Sequence, residues 1–200
     1  MNSRIPPITL NLIIINVIFW LVEVIIPSKF GIDIVELLGL HYWLSEKFHF
    51  YQLITNMFLH DPSGLSHLIF NMFGLFMFGS EVEQMWGGKK FLFFYFFTGI
   101  GASIIQELSW MIDTHSLVTA FNTAIAEGNG TALLPFEHMF TGGGSISNAT
   151  LSNIITLKAQ FLSSFISIGA SGALFGVLLA FAWLFPEAKM GIIFIPIMIP

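Results

Sequence analysis

Residues 159–186 read AQFLSSFISIGASGALFGVLLAFAWLFP, which is 28 consecutive residues without a charged side chain. A helix needs roughly 20 apolar residues to cross the hydrocarbon core of a bilayer, so this stretch predicts a membrane helix. If the helix proper begins near Ser171 and ends near Phe185, it reaches about 22 Å at 1.5 Å per residue. The hydrocarbon core is about 30 Å thick, so the sequence predicts that Ser171 lies below the membrane surface.

Four further apolar blocks flank this stretch along the chain. Hydrophobic residues make up 55% of the sequence and charged residues only 10%, whereas a soluble domain devotes about a quarter of its residues to charge. The pattern predicts an all-α polytopic membrane protein, a helical bundle with four complete helices plus the start of a fifth. The flanking blocks are residues 8–26, 66–78, 91–106 and 190–200.

The segments between the blocks differ in character. Residues 28–63 mix apolar and charged side chains, which favours a position in the membrane interface. Gly79 is expected to end the second helix, before a short charged loop. Residues 107–158 are rich in Ser, Thr, Asn and Gly and predict a loop inserted outside the membrane core. We expect residues 1–200 to form a single membrane domain.

Charge and composition limit the location and the partners. Most of the seven basic residues fall in short segments that lie inside if the amino terminus is cytoplasmic. We therefore predict a multi-pass integral protein in the lipid bilayer with a cytoplasmic amino terminus, and take the plasma membrane as its default location. A net charge of −5 without a basic patch argues against nucleic acid as a partner. Without cysteine or an H-E-x-x-H motif, no cofactor and no metal is expected.

Ser171 is the first candidate for chemistry. A hydroxyl at a helix amino terminus lies beside unpaired backbone N–H groups and the positive end of the helix dipole, which suits a developing oxyanion. The competing interpretation is helix packing, because Gly172, Gly176 and Ala180 recur every four residues and form a small-residue ridge.

His67 and Asn71 are the second candidates. Their i, i+4 spacing places them on one face of the second helix. Strongly polar groups inside a membrane segment are costly and are usually functional. They could instead hydrogen-bond a neighbouring helix in a purely structural role.

Together these residues resemble the rhomboid family of intramembrane serine proteases. The resemblance covers residues 8–106 and 159–200, and leaves the segment 107–158 without a counterpart in the smallest members. It rests on Gly169-Ala170-Ser171-Gly172, on His67 with Asn71, and on the spacing of Gly79, Glu83 and Gly87.

The resemblance implies a rhomboid-like bundle and a serine endopeptidase. Its substrates and partners would be membrane proteins, cleaved in transmembrane or juxtamembrane segments through a Ser-His dyad. Ser171 would be the nucleophile, and His67, Asn71 and the Ser171 N–H would stabilise the oxyanion. Gly169 would let the substrate approach the serine. His60 would have a structural role in the loop.

Two features depart from the family. Tyr51-Gln52 stands where the family has a Trp-Arg pair. The family's general base is a histidine on a later helix, and all six histidines here precede Ser171. We expect the catalytic histidine to lie beyond Pro200, the fifth helix to be cut short there, and this polypeptide alone to be inactive.

Two other functions remain open at this point. A non-catalytic rhomboid-like protein would bind transmembrane helices for trafficking or degradation. Such relatives usually lack the serine, so Ser171 with His67 and Asn71 favours the enzyme, and a histidine on the later helix would decide. A transporter or channel fragment would need more intramembrane charge than Glu23 alone.

Overall fold

A computed structural model describes residues 5–140, 146–188, 190–191 and 198–199. Within that part of the chain, three helices are long and apolar enough to cross a membrane, and a shorter apolar helix follows them. The three are Pro7–Phe30, Leu65–Trp86 and Gly88–Glu127, and the shorter one is Ser171–Leu184. The protein is therefore an all-α polytopic membrane bundle, as the sequence predicts.

The first helix, α1, spans Pro7–Phe30 and confirms the block 8–26. Proline is suited to the first turn because its missing N–H has no helical partner there, and Gly31 ends the helix with a φ of 66°. Most of α1 is exposed, as a lipid-facing helix is. Its buried face carries Thr9, Asn16 and Glu23, one polar residue every seven positions.

Short elements connect α1 to the second long helix. They are α2 (Ile34–Leu38), the two-residue strand β1 (Leu40–His41), α3 (Gln52–Thr55) and a 3₁₀ turn at Asn56–Phe58. Asp33 caps α2 by accepting a hydrogen bond from the Glu36 N–H at 3.0 Å. The position of this segment in the membrane interface stays a prediction.

The second long helix continues through Gly79, which the sequence analysis had expected to end it. It consists of α4 (Leu65–Gly74), a π-helical turn (Leu75–Gly79) and α5 (Ser80–Trp86) without a break. Gly79 is a packing residue: a Cβ there would lie 3.0 Å from Leu75 Cδ1 and 3.2 Å from Phe91 Cζ. The helix ends at Gly87, whose φ of 79° favours glycine.

The third long helix, α6, spans Gly88–Glu127, 40 residues rather than the predicted 91–106. The expectation of a loop from residue 107 was wrong for 107–127, which contain neither glycine nor proline and end at Gly128 with a φ of 71°. The charge that suggested a boundary, Glu107, is 2% exposed and accepts a hydrogen bond from the Trp43 N–H at 2.8 Å.

Contacts divide the chain into two compact units. The first contains the described parts of residues 1–39, 53–102 and 168–200, and the second contains residues 40–52 and the described parts of 103–167. The core of the first unit is built around residues such as Leu12, Met57, Leu68, Tyr95 and Val177.

The second unit packs around Leu117, Phe121 and Ile154. After α6 it contains 3₁₀ segments at Thr131–Met139 and Ile146–Asn148, helix α7 (Leu151–Ser163) and strand β2 (Ile166–Ser167). β1 and β2 pair antiparallel, with Leu40 opposite Ser167. The predicted insert is thus largely helical, and its place outside the membrane core stays a prediction.

The serine helix, α8, spans Ser171–Leu184, which confirms the expected start and places the end within one residue of Phe185. The predicted fifth helix falls mostly on residues outside the described part of the chain. Its described ends, β3 (Met190–Gly191) and β4 (Met198–Ile199), form an antiparallel pair of two-residue strands rather than helix.

Candidate active site

Backbone geometry places Ser171 at the start of α8. Gly169 has a φ of 130°, a region that favours glycine, and its N–H donates a hydrogen bond to the Asn56 carbonyl at 2.9 Å. Ala170 is the N-cap residue and offers no side-chain cap. The first N–H groups of α8 therefore have neither an intrahelical acceptor nor a capping side chain, and Ser171 is partly buried among them.

The space beside Gly169 is bordered by both predicted catalytic groups. A Cβ built on Gly169 would lie 3.2 Å from His67 Cε1, 3.4 Å from His67 Nε2 and 3.5 Å from Ser171 Oγ. The fold thus brings together the imidazole from α4 and the hydroxyl from α8, which are about a hundred residues apart in sequence. The absence of a side chain at Gly169 keeps this space open.

Asn71 lies one turn after His67 on α4. Its side chain is 5% exposed, and its Nδ2 has no hydrogen-bond partner among the described residues. A buried amide donor without a partner is destabilising by about 1–3 kcal/mol, so such groups call for an explanation. A donor held ready for a ligand or a reacting group provides one.

Glycines hold α8 close to α6. A Cβ on Gly172 would lie 2.6 Å from Ala102 Cβ, and a Cβ on Gly176 would lie 2.5 Å from Thr98 Cβ. The packing interpretation of the small-residue ridge is therefore confirmed for these two glycines. It does not compete with the functional one, because Gly169 and Ser171 precede the packed part of the helix.

His60 lies beside His67, with 5.3 Å between the ring centroids. Its Nδ1 is 3.3 Å from the Phe58 carbonyl oxygen. Because a carbonyl only accepts, Nδ1 carries the proton in this hydrogen bond, and Nε2 is an acceptor. Burial and, to a smaller extent, the neighbouring His67 lower the pKa of His60 to about 4, so the ring is neutral at pH 7.

The partner of His60 is a residue that was not predicted from the sequence. Glu23, on α1, accepts the His60 backbone N–H with both carboxylate oxygens, each at 3.1 Å. The sequence contains a sign of this interaction, because Glu23 is the single carboxylate inside its apolar span and such a group requires a buried hydrogen-bond donor. The sequence does not say which donor that is, because the two residues are 37 positions apart.

Glu83, part of the spacing on which the family resemblance rests, caps the amino terminus of α1. Its carboxylate accepts from the Ile8 N–H at 3.0 Å, from the Thr9 N–H at 2.6 Å and from the Thr9 hydroxyl at 2.8 Å. An anion at a helix amino terminus is favoured by the free N–H groups and the helix dipole. Glu23 and Glu83 thus hold α1 at two points along its length.

Gln52 stands where the family resemblance has arginine, and it organises the local chain of the second unit. It is 1% exposed. Its Oε1 accepts from the His49 N–H at 3.0 Å and its Nε2 donates to the Lys47 carbonyl at 3.0 Å. A neutral amide therefore braces this loop.

The donor set at Ser171 suits acyl chemistry. A hydroxyl, a helix amino terminus, an imidazole and an unpartnered amide belong to one unit, and His60 and His67 are the imidazoles of that unit. Over the described residues, no three His, Asp or Glu side chains come close enough together to hold a metal ion.

Comparison with known proteins finds similarity over part of the chain. Residues 47–125 match the family model described as Rhomboid domain. RHOMBOID-like protein 6, mitochondrial, of Arabidopsis thaliana is 40% identical over 58 residues, which is 29% of this chain and 18% of that relative. No solved structure matches the chain.

The Rhomboid match includes His67 and Asn71 and ends before Gly169 and Ser171. The helices that carry the match are apolar and long enough to cross a bilayer. The chain is a rhomboid-like intramembrane protein, similar to the Rhomboid domain over residues 47–125.

Proposed function

We propose that the protein is an intramembrane serine endopeptidase that cleaves transmembrane or juxtamembrane segments of other membrane proteins. The observation that carries the proposal is the space beside Gly169, which the Ser171 hydroxyl and the His67 imidazole both border. Helix packing requires neither group there, whereas attack on a peptide carbonyl requires a nucleophile and oxyanion donors in one place.

In the proposed reaction, Ser171 Oγ attacks the carbonyl carbon of the scissile peptide bond. The carbonyl oxygen then carries a negative charge in the tetrahedral intermediate. The Ser171 N–H, His67 and Asn71 donate hydrogen bonds to this oxyanion. The unpartnered Nδ2 of Asn71 supports the assignment, because a donor already aimed and desolvated needs no reorganisation when the charge develops.

A base must take the proton of Ser171 and pass it to the leaving amine as the peptide C–N bond breaks, and water then hydrolyses the ester on Ser171. His67 is assigned to the oxyanion, and the His60 ring is buried with Nδ1 directed at the Phe58 carbonyl. In this proposal the base is the histidine that the family resemblance places after residue 200. The assay therefore uses a protein that contains that histidine.

The length of α8 supports a membrane substrate. Its 14 residues span about 21 Å, which is less than the roughly 30 Å of the hydrocarbon core. If the carboxyl end of α8 reaches one face of that core, Ser171 lies several ångströms inside the other. Peptide bonds that meet a hydroxyl at that depth belong to transmembrane or juxtamembrane segments.

The test is reaction of the full-length protein in detergent with a fluorophosphonate probe, which phosphonylates activated serines with loss of fluoride. We expect labelling of the wild type and none of Ser171→Ala, together with cleavage of a single-span membrane substrate by the wild type only. Labelling that persists in Ser171→Ala would overturn the assignment. A wild-type protein that neither reacts nor cleaves, yet captures a transmembrane helix, would be the non-catalytic binder.

A further inference from the structure

Glu23 is connected to the candidate active site although it lies on α1, which carries none of the proposed catalytic groups. Its side chain is 2% exposed, and both carboxylate oxygens accept the single His60 N–H at 3.1 Å. The backbone at His60 is therefore held from α1.

The His60 ring is held from a second direction. It is 0% exposed, and its Nδ1 donates to the Phe58 carbonyl two residues earlier. With the backbone N–H and Nδ1 both fixed, the ring has one orientation. Its Nε2 has no hydrogen-bond partner among the described residues, and the ring packs beside His67 at 5.3 Å between centroids.

We propose that Glu23 is a positioning residue for the oxyanion site, acting on His67 through His60. By fixing the His60 backbone, Glu23 holds the His60 ring against His67. The packed ring then fixes the plane of the His67 imidazole and the nitrogen it presents to the space beside Gly169. The expected effect on catalysis rests on the proposed function. The expected effect on the orientation of the His67 ring does not.

Substitutions of Glu23 differ in whether they keep an acceptor for the His60 N–H. Glu23→Gln keeps one acceptor oxygen for the His60 N–H. Glu23→Met keeps the length of the side chain and removes every acceptor, so the His60 N–H loses its partner and the loop must shift. If Glu23 acts by accepting this hydrogen bond, glutamine preserves the position of His67 and methionine does not.

A matched control lies at the other end of α1. Glu83 is also a buried carboxylate that accepts backbone N–H groups, and neither it nor its partners Ile8 and Thr9 contact His60 or His67 in any hydrogen bond recorded among the described residues. Glu83→Met, on α5, therefore removes a buried carboxylate that accepts backbone N–H groups at the amino end of α1. It destabilises the protein without acting on His67.

The experiment compares these variants in the full-length protein in detergent. The imidazole ¹⁵N signals of His67, assigned with His67→Gln, report its tautomer and environment whether or not the protein is active. The rate of fluorophosphonate labelling reports catalysis. We expect Glu23→Met to shift the His67 signals and to slow labelling about tenfold or more, since a 1 Å misplacement costs about 10²-fold.

Glu23→Gln should keep both readouts near wild type, and Glu83→Met should keep the His67 signals. Unchanged His67 signals in Glu23→Met would overturn the proposal, as would equal shifts in Glu23→Met and Glu83→Met. If Glu23→Met does not fold, His60→Phe replaces it. That variant keeps the backbone N–H for Glu23 and removes the ring nitrogens, and unchanged His67 signals would again overturn the proposal.

The two proposals can fail separately. If the wild type is not labelled but Glu23→Met still shifts the His67 signals, the protease function fails and the positioning role stands. If labelling depends on Ser171 but the His67 signals do not change in Glu23→Met, the protease function stands and the positioning role fails.

Discussion

Replacing Gly169 by alanine tests the open space at the candidate active site most directly. The new Cβ would lie 3.2 Å from His67 Cε1 and 3.5 Å from Ser171 Oγ. The first distance is tighter than ordinary van der Waals contact, so the imidazole must move by a few tenths of an ångström. A residue with a side chain at a φ of 130° also adds about 1–3 kcal/mol of backbone strain.

The two effects can be separated with a second glycine. Gly31 also has a positive φ, 66°, but a Cβ there meets nothing within 4 Å. Gly31→Ala therefore introduces about 1–2 kcal/mol of strain without touching the site. Both variants should unfold at lower temperature than the wild type in detergent.

Only Gly169→Ala should also lose reactivity, because the methyl group fills the space that the scissile carbonyl would occupy. We expect its fluorophosphonate labelling rate to fall about tenfold or more below that of Gly31→Ala, measured where both variants are fully folded. Equal labelling rates in the two variants would refute the argument that Gly169 keeps the site open.

Three further predictions follow from packing, burial and charge. Asn71→Leu should slow labelling about 10²- to 10³-fold without loss of thermal stability, since it removes an unpartnered buried donor; a large fall in stability would contradict this. Gly176→Ala should lower the free energy of unfolding by about 1–3 kcal/mol through contact with Thr98, whereas Phe175→Ala, at a side chain 69% exposed, should change it by less than about 0.5 kcal/mol. His60, with its pKa lowered to about 4, stays neutral in the folded state while the unfolded chain takes up a proton near pH 6.5. The free energy of unfolding should therefore be highest above about pH 7 and fall by up to about 3 kcal/mol as the pH drops towards 4. His60→Gln should remove most of this dependence of the free energy of unfolding on pH, and an unchanged pH dependence would contradict the reasoning.

The long helices could be predicted from hydrophobicity, but two of their ends could not. The block 8–26 and the start of α8 at Ser171 are marked by proline, glycine and an unbroken apolar run. Gly79 was misread because glycine ends helices and also permits close packing, and only the neighbouring Phe91 shows which applies. Glu107 suggested a boundary, but its carboxylate is buried against the Trp43 N–H.

The local part of the candidate site was also predictable, and the long-range part was not. His67 and Asn71 are four residues apart, so helix geometry places them together. Gly169 and Ser171 adjoin in sequence. The bond between Glu23 and His60 depends on how α1 packs against the loop before α4, and no local pattern encodes that. The plasma membrane and the cytoplasmic amino terminus stay predictions.

The polar face of α1 has a consequence for how the protein is made. An ionisable residue within an isolated membrane helix disfavours insertion, by as much as about 3 kcal/mol when it is charged and at the helix centre. Thr9 and Glu23 find their partners on Glu83 and His60, which the ribosome synthesises later. Until residue 60 has been synthesised, Glu23 in the inserted α1 therefore lacks the His60 N–H as a donor. The bond to His60 can therefore stabilise the inserted α1 only after residue 60 has been made.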